Sequence, residues 1–325
     1  MVRELVIGDP HVTVDELEDA QKLFDYALDC CLKNNITGIT ILGDLHHNFT
    51  VVNVKVTAFY RAVFSKFRAA NIRVRALVGN HDMPGDGSGY PHALISYPEI
   101  EVIDKPTIID GVLYVPYIAD PNLFIDVCQN AAAKLVICHQ EFNGATYDNG
   151  FFAPNGVDPS RLPLQKFLSG HIHSPQRFSN VWYPGAPRWR TISDANKSRD
   201  IWQLVIEGGR LIATESYSTD RICRRIMEVT ITAGREFIVD GSPKDDWRVT
   251  IEGTAEYVAS MTPTVKEAMP WASIRSIIQD RHIAVKESDG IPQAFKKYAD
   301  SFVPKNGTPS SVLSTIAMER LYGAA

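Results

Sequence analysis

The chain has 325 residues, 45% hydrophobic and 22% charged, with a net charge of −5 and a pI near 6.0. That composition can build one large domain plus a smaller one, and it lacks the basic excess of an autonomous nucleic-acid binder. The opening MVRELVIGDPHV reads as a strand entering the fold, with no apolar run that would make a signal peptide or membrane span. The five cysteines are odd in number and show no CxxC spacing. Buried thiols in a cytoplasmic, reducing compartment are therefore expected rather than disulfides or a zinc–thiolate site.

The predicted elements alternate. Residues 2–8 form a short apolar strand. Residues 15–33 place Leu17, Ala20, Phe24, Ala27, Leu28 and Cys31 at helical spacing. ITGITILG, 36–43, is β-branched and bounded by turn residues, as a buried strand is. Residues 54–70 return to helical spacing with Phe59, Val63, Phe64 and Phe67 on one face, and 74–79 make a third strand. GDGSG, 85–89, lacks the Gly-Lys-Ser/Thr of a phosphate loop and reads as a connector. Strands and turns over 100–118, a helix over 121–133, a strand over 134–138 and a hairpin turning at Gly208-Gly209 follow. The pattern predicts an α/β domain over 1–220. Beyond it, strands at 226–231 and 247–251, a helix near 263–269, a second helix starting at Ser273 and a helical tail near 311–321 predict a smaller domain over 221–325.

Chemistry-bearing residues sit where these strands end. The runs finish in Gly8-Asp9-Pro10-His11, Gly43-Asp44-Leu45-His46-His47, Gly79-Asn80-His81-Asp82, Cys138-His139 and Gly170-His171-Ile172-His173. Ligands of α/β sheets bind beyond the carboxyl ends of the strands, so all five clusters face one edge. Carboxylate, amide oxygen and neutral imidazole together suit Mn, Fe, Zn or a similar divalent ion. Asp9, His11, Asp44, Asn80, His139, His171 and His173 are too many donors for one tetrahedral metal, but two metals sharing a carboxylate would use them all. His171 and His173, at i and i+2 of an extended segment, point to the same side.

In this order the motifs resemble those of the calcineurin-like metallophosphoesterases: Asp-x-His, Gly-Asp, Gly-Asn-His-Asp, a lone His, then Gly-His-x-His. The resemblance covers about residues 1–220. It implies a four-layer α/β/β/α sandwich followed by a smaller α+β capping domain. It also implies that Asp9, His11, Asp44 and His173 hold one metal, and Asp44, Asn80, His139 and His171 the other. The two ions would most plainly be Mn, with Fe, Zn or Mg as alternatives. His81 would act as general acid or transition-state donor, oriented by Asp82.

The motif variants point further. GDLHH resembles the GDLFH of SbcD-type DNA-repair nucleases, whose final His, matching His47, helps place DNA at the metals. YPEIEVIDKP, 97–106, is similar to a stretch of phage members. The resemblance implies a Mn-dependent exonuclease with endonuclease capacity, acting in repair and recombination beside an SMC-like ATPase. That partner would be bound through 273–321, where Ile274, Ile277 and Ile278 give one apolar helical face and Val312, Leu313, Ile316 and Leu321 another. It further implies a homodimer, formed through the helix carrying Phe59, Val63, Phe64 and Phe67 and the segment near 90–95. Arg73 with Arg75, Arg188 with Arg190, and Arg221 with Arg224 and Arg225 are the candidate positive patches. The alternatives are a cytoplasmic phosphodiesterase or phosphatase of small molecules and a metal-bound scaffold without catalysis.

Overall fold

A computed structural model describes residues 1–49, 51–85, 90–234 and 241–279. In chain order the first elements are β1 (Val2–Ile7), α1 (Leu17–Asn34), β2 (Gly38–Ile41), α2 (Val54–Ala69), β3 (Arg73–Leu77), β4 (Glu101–Ile103), β5 (Thr107–Ile109) and β6 (Val112–Val115). Then come α3 (Pro121–Asn130), β7 (Leu135–His139), β8 (Lys166–Gly170), β9 (Gln176–Phe178), β10 (Val181–Tyr183), β11 (Asp200–Glu207) and β12 (Arg210–Ser218). The last are β13 (Ile226–Thr232), β14 (Asp246–Gly253), α4 (Ala255–Ala268) and β15 (Ser273–Ile278).

Two six-stranded sheets result, ordered β12-β11-β1-β2-β3-β4 and β5-β6-β7-β8-β10-β9. Their central strands run parallel and are buried on both faces, which is why they read as unbroken apolar runs rather than alternating ones. Side-chain alternation decides which layer each residue fills. Leu5 and Ile7 of β1 pack with Leu23 and Phe24 of α1 and with Val63 and Phe64 of α2, while Val6 between them packs against the second sheet with Leu42, Ile137 and Leu168. In β7, Val136 and Cys138 point the other way, onto Phe124, Ile125 and Cys128 of α3. Helices therefore cover the outer face of each sheet, and the fold is the four-layer α/β/β/α sandwich.

Contacts divide the chain into two compact units, Met1–Met227 with Lys244–Asp246, and Glu228–Pro243 with Trp247–Ala325. Within the second, Val249 and Ile251 of β14 pack on Val258 and Val265 of α4. β14 pairs in parallel with β15, with Val249 opposite Ile274 and Glu252 opposite Ile277.

Three expectations change here. Ser273–Ile278 is a strand, so Ile274, Ile277 and Ile278 do not line a helix. Three of the six residues of SIRSII are β-branched isoleucines, which favour a strand, and the segment pairs with β14. Val312, Leu313, Ile316 and Leu321 lie outside the described residues. The face of α2 assigned to a dimer contact turns inward instead: Val63, Phe64 and Phe67 are buried in the protomer's own core, with Phe59 packed against it. The proposed arginine patches are largely neutralised. Arg75 is buried against Glu4 (3.0 Å), and Arg188 is buried against Asp19 (3.1 Å). Arg224 and Arg225 pair with Asp246 and Asp245.

Candidate metal centre

The carboxyl ends of β1, β2, β3, β7 and β8 converge, and every residue singled out as a metal ligand is brought together there. His11 Nε2 lies 3.4 Å from Asp44 Oδ2 and 3.0 Å from His173 Nε2, and His173 Nε2 lies 4.0 Å from Asp9 Oδ2. On the other side of Asp44, the same Oδ2 is 3.4 Å from His139 Nε2. Asn80 Oδ1 stands 3.0 Å from His139 Nε2 and 2.8 Å from His171 Nδ1. Asp44 is thus the atom group common to two clusters.

The backbone is strained to achieve this. His11, Asp44 and His171 adopt φ of 42°, 51° and 82°, a left-handed region that side chains of this kind enter at a cost of order 1–3 kcal/mol each. Two glycines make the approach possible. Gly43 has φ of 111°, and a side-chain carbon on it would stand 2.5 Å from His139 Nδ1. A carbon on Gly79 would stand 2.9 Å from Asp44 Cγ.

Each histidine's outer nitrogen faces an acceptor. His139 Nδ1 donates to the Leu42 carbonyl (2.7 Å) and His11 Nδ1 to that of His46 (3.2 Å). His171 Nε2 stands 3.8 Å from Glu141, and His173 Nδ1 stands 3.8 Å from Asp148. Such partners fix the tautomer and leave the inner nitrogen as a lone pair. The inner nitrogens of His11 and His173, 3.0 Å apart, are then two acceptors facing each other, an arrangement a shared cation resolves.

Charge leads to the same conclusion. Burial pushes the Asp9 carboxyl up to about 7, with Asp44 and Asp82 adding repulsion. Asp82 is likewise raised to about 7 by burial and then by Asp44. Burial works to raise Asp44 too, but the charge and hydrogen bond of His139 hold it well below the carboxylate range. Burial lowers His173 to about 4 and depresses His11 and His171, keeping them neutral donors, whereas at His139 the lowering by burial is outweighed by Asp44 and Asp9, which raise it to about 9, a proton that a bound cation would replace. Asp9 Oδ1 is buried without a hydrogen bond. A buried set of carboxylate, amide and neutral imidazole donors with an orphaned oxygen fits divalent ions of the Mn, Fe or Zn type.

His81 and His47 stand beside these clusters. One ring nitrogen each of His11, His47 and His81 lie within 4.8 Å of one another. The His81 ring is held by Nδ1–H donating to the His47 carbonyl (2.6 Å) and by Phe49 stacked on it at 3.9 Å. Asp82 does not orient it. Its two oxygens accept instead from the backbone N–H groups of Leu45, His46 and Gly79 (3.3, 3.1 and 3.1 Å), so Asp82 ties the β2 and β3 loops together. The buried side chain beside a ligand was legible; its partner across 36 residues was not.

The sequence reading missed Glu141, Asp148 and Tyr117, and took Arg190 only as part of a positive patch. Tyr117 stacks on His171 at 5.8 Å. Asp148 receives Lys197 Nζ at 2.8 Å and the Ser174 hydroxyl. Glu141, two residues after His139, carried a weak local signal; the others touch the centre only through the fold. His46, given no role, holds His11 through its carbonyl, and its own ring is buried against the Tyr97 hydroxyl (2.8 Å).

This fold and donor set define a class, and the family model for calcineurin-like phosphoesterases matches residues 2–175. The chain belongs to that family, whose members are phosphoester hydrolases that use divalent metals. It is 30% identical over 195 residues to exonuclease subunit 1 of Enterobacteria phage T4, covering 57% of each chain. The alignment thus spans little more than half of that relative's length. The crystal structure of Pseudomonas putida nuclease MPE overlaps with a TM-score of 0.30 at 17% identity, over 52% of this chain and 60% of that one. Among the described residues no helix is long and apolar enough to cross a membrane.

Proposed function

We propose that this protein is a metal-dependent DNA nuclease that hydrolyses phosphodiester bonds by a two-metal mechanism. The observation that carries the reading is the pair of clusters sharing Asp44, with His81 and His47 on one flank. Asp9, His11, Asp44 and His173 would hold one ion, and Asp44, Asn80, His139 and His171 the other. Ions held there would supply Lewis-acid charge and lower the pKa of a water molecule. The chain's own residues do the rest. His81 keeps Nδ1–H on the His47 carbonyl, which leaves Nε2 of the imidazolium to hand a proton to the departing alcohol oxygen. His47 hydrogen-bonds the phosphate, and Asp82 holds the two loops in register.

A polymer substrate fits an open rim: His47 is exposed, and the His173 side chain keeps 31% of its surface. The likeness to a phage exonuclease subunit supports DNA as substrate and a second protein as partner. We assign that partner as an SMC-like ATPase, with residues 221–325 as its docking and capping region. Mn is the working ion, and the setting is DNA repair and recombination in the cytoplasm. Mild net acidity agrees with a need for help, because affinity for duplex comes largely from Lys and Arg on phosphates.

The test is digestion of linear duplex, single-stranded DNA and bis(p-nitrophenyl) phosphate by the full chain with Mn, Fe, Zn or Mg, with and without the ATPase. Metal-dependent release of nucleotides, lost with EDTA, is expected. Rapid hydrolysis of the small diester with DNA untouched in every condition would favour the small-molecule phosphodiesterase instead.

A further inference from the structure

Arg190 lies outside every motif, yet its guanidinium reaches the rim of the centre. Its Nη1 donates to His47 Nδ1 at 3.2 Å. On the opposite side Nε faces Glu16 Oε2 at 3.6 Å, an acid that Arg188 also holds at 3.6 Å. The Arg190 backbone is fixed as firmly. Its N–H and that of Thr191 both donate to Asp194 Oδ2 (2.9 and 2.8 Å). The other oxygen of Asp194 pairs with Arg199, which also donates to the carbonyl of His173. The arginine is therefore tied to the segment that supports a candidate metal ligand, and its side chain keeps only 12% of its surface.

A guanidinium has donors and no acceptor. Opposite it, His47 Nδ1 must offer a lone pair, and a neutral imidazole then carries its one proton on Nε2. We propose that Arg190 is a positioning residue that locks His47 in the Nε2–H tautomer, so that His47 presents a hydrogen-bond donor to a non-bridging oxygen of the bound phosphodiester. This rests on the reading of the site as a phosphodiesterase. It also gives His47 a double task, since its carbonyl aims the His81 ring while its own ring is aimed by Arg190. The two rings are stacked, with centroids 5.9 Å apart and planes 10° from parallel, so one phosphate could address both.

The experiment combines ¹⁵N-histidine NMR of the full chain, metal-free and zinc-loaded, with kinetics on bis(p-nitrophenyl) phosphate. In the parent protein His47 should show one tautomer, Nδ1 bare and Nε2 protonated. Arg190→Met keeps the apolar stem and removes the donor. It should populate the Nδ1–H form and lower kcat/KM roughly 10–100-fold, the usual share of a charge-assisted hydrogen bond, with bound metal unchanged. Arg190→Lys restores a donor and should recover most of both signals. In a His47→Ala background, Arg190→Met should cost less than about twofold more, because the two side chains act as one unit. An unchanged single tautomer in Arg190→Met, or losses that multiply in the double variant, would overturn the assignment. If the parent protein hydrolyses no phosphodiester, the functional reading fails, and the tautomer measurement alone decides the role of Arg190.

Discussion

Gly79 offers a sharp test of the geometry because the perturbation is a single methyl group. A carbon added there would lie 2.9 Å from Asp44 Cγ, and nearer still to its carboxylate and backbone nitrogen. Carbon atoms pack best at about 3.5–4.0 Å, so Asp44 would have to retreat by roughly 0.6–1 Å. It cannot do so cheaply, since the obstructing atoms include backbone at φ of 51° and Asp44 Oδ1 already accepts from His81 N–H at 2.8 Å. The displaced group is the carboxylate common to both clusters, 3.4 Å from His11 and 3.4 Å from His139. Gly79→Ala should therefore cost about 1–3 kcal/mol of stability as overpacking. It should lose on the order of 10²-fold in turnover, as a 1 Å misplacement does. The assay is metal per chain by mass spectrometry after dialysis against Mn, with turnover of bis(p-nitrophenyl) phosphate and the thermal midpoint. Gly38→Ala is the control: its carbon would meet nothing closer than Arg73 Nη2 at 3.6 Å, ordinary contact, and should behave as the parent. Full metal content and parental turnover in Gly79→Ala would show that Asp44 is not the shared ligand.

Asp44→Ala should abolish binding of both ions, and a Mn-soaked crystal with normal occupancy of either cluster would refute the bridge. His81→Ser should lower turnover by about 10²–10⁴ while metal content holds, and near-parental DNA cleavage by that variant would remove it from the chemistry. Asp82→Ala should act first on stability: three backbone N–H groups lose their acceptor, at about 1–3 kcal/mol for each left buried and unmet, so calorimetry should show a lowered midpoint even in the metal-free protein. Glu4→Ala should destabilise by about 3–5 kcal/mol, since Arg75, Thr40 and Tyr114 all bond that buried carboxylate at the other end of the strands. A denaturation midpoint within error of the parent would show that the network is not structural.

The convergence of the candidate donors was legible because its signals are local. An apolar run announces a buried strand, and the Gly-Asp, Gly-Asn-His-Asp or Gly-His-x-His after it must fall at the strand's carboxyl end, where α/β sheets gather their chemistry. To place Asp9, Asp44, Asn80 and the four strand-end histidines at one edge needed nothing more. An apolar helix face is also local, but what covers it is not. Phe64 and Phe67 of α2 satisfy a dimer contact or a sheet equally well, and only the packed layers show them under Leu5 and Ile7. The same holds for SIRSII, whose pairing with β14, 25 residues earlier at Arg248 and Ser273, overrode its helical reading. Hydrogen-bond partners are the least legible of all. Asp82 was assigned to its neighbour His81, yet a short side chain beside a tight turn finds the backbone of another loop more easily than the next ring. Arg190 and His47, 143 residues apart, meet only because β1, the β2 loop and the chain after β10 close on one edge. Donors are a property of residue type and of strand ends; which nitrogen of an imidazole carries its proton is a property of what the fold puts behind it.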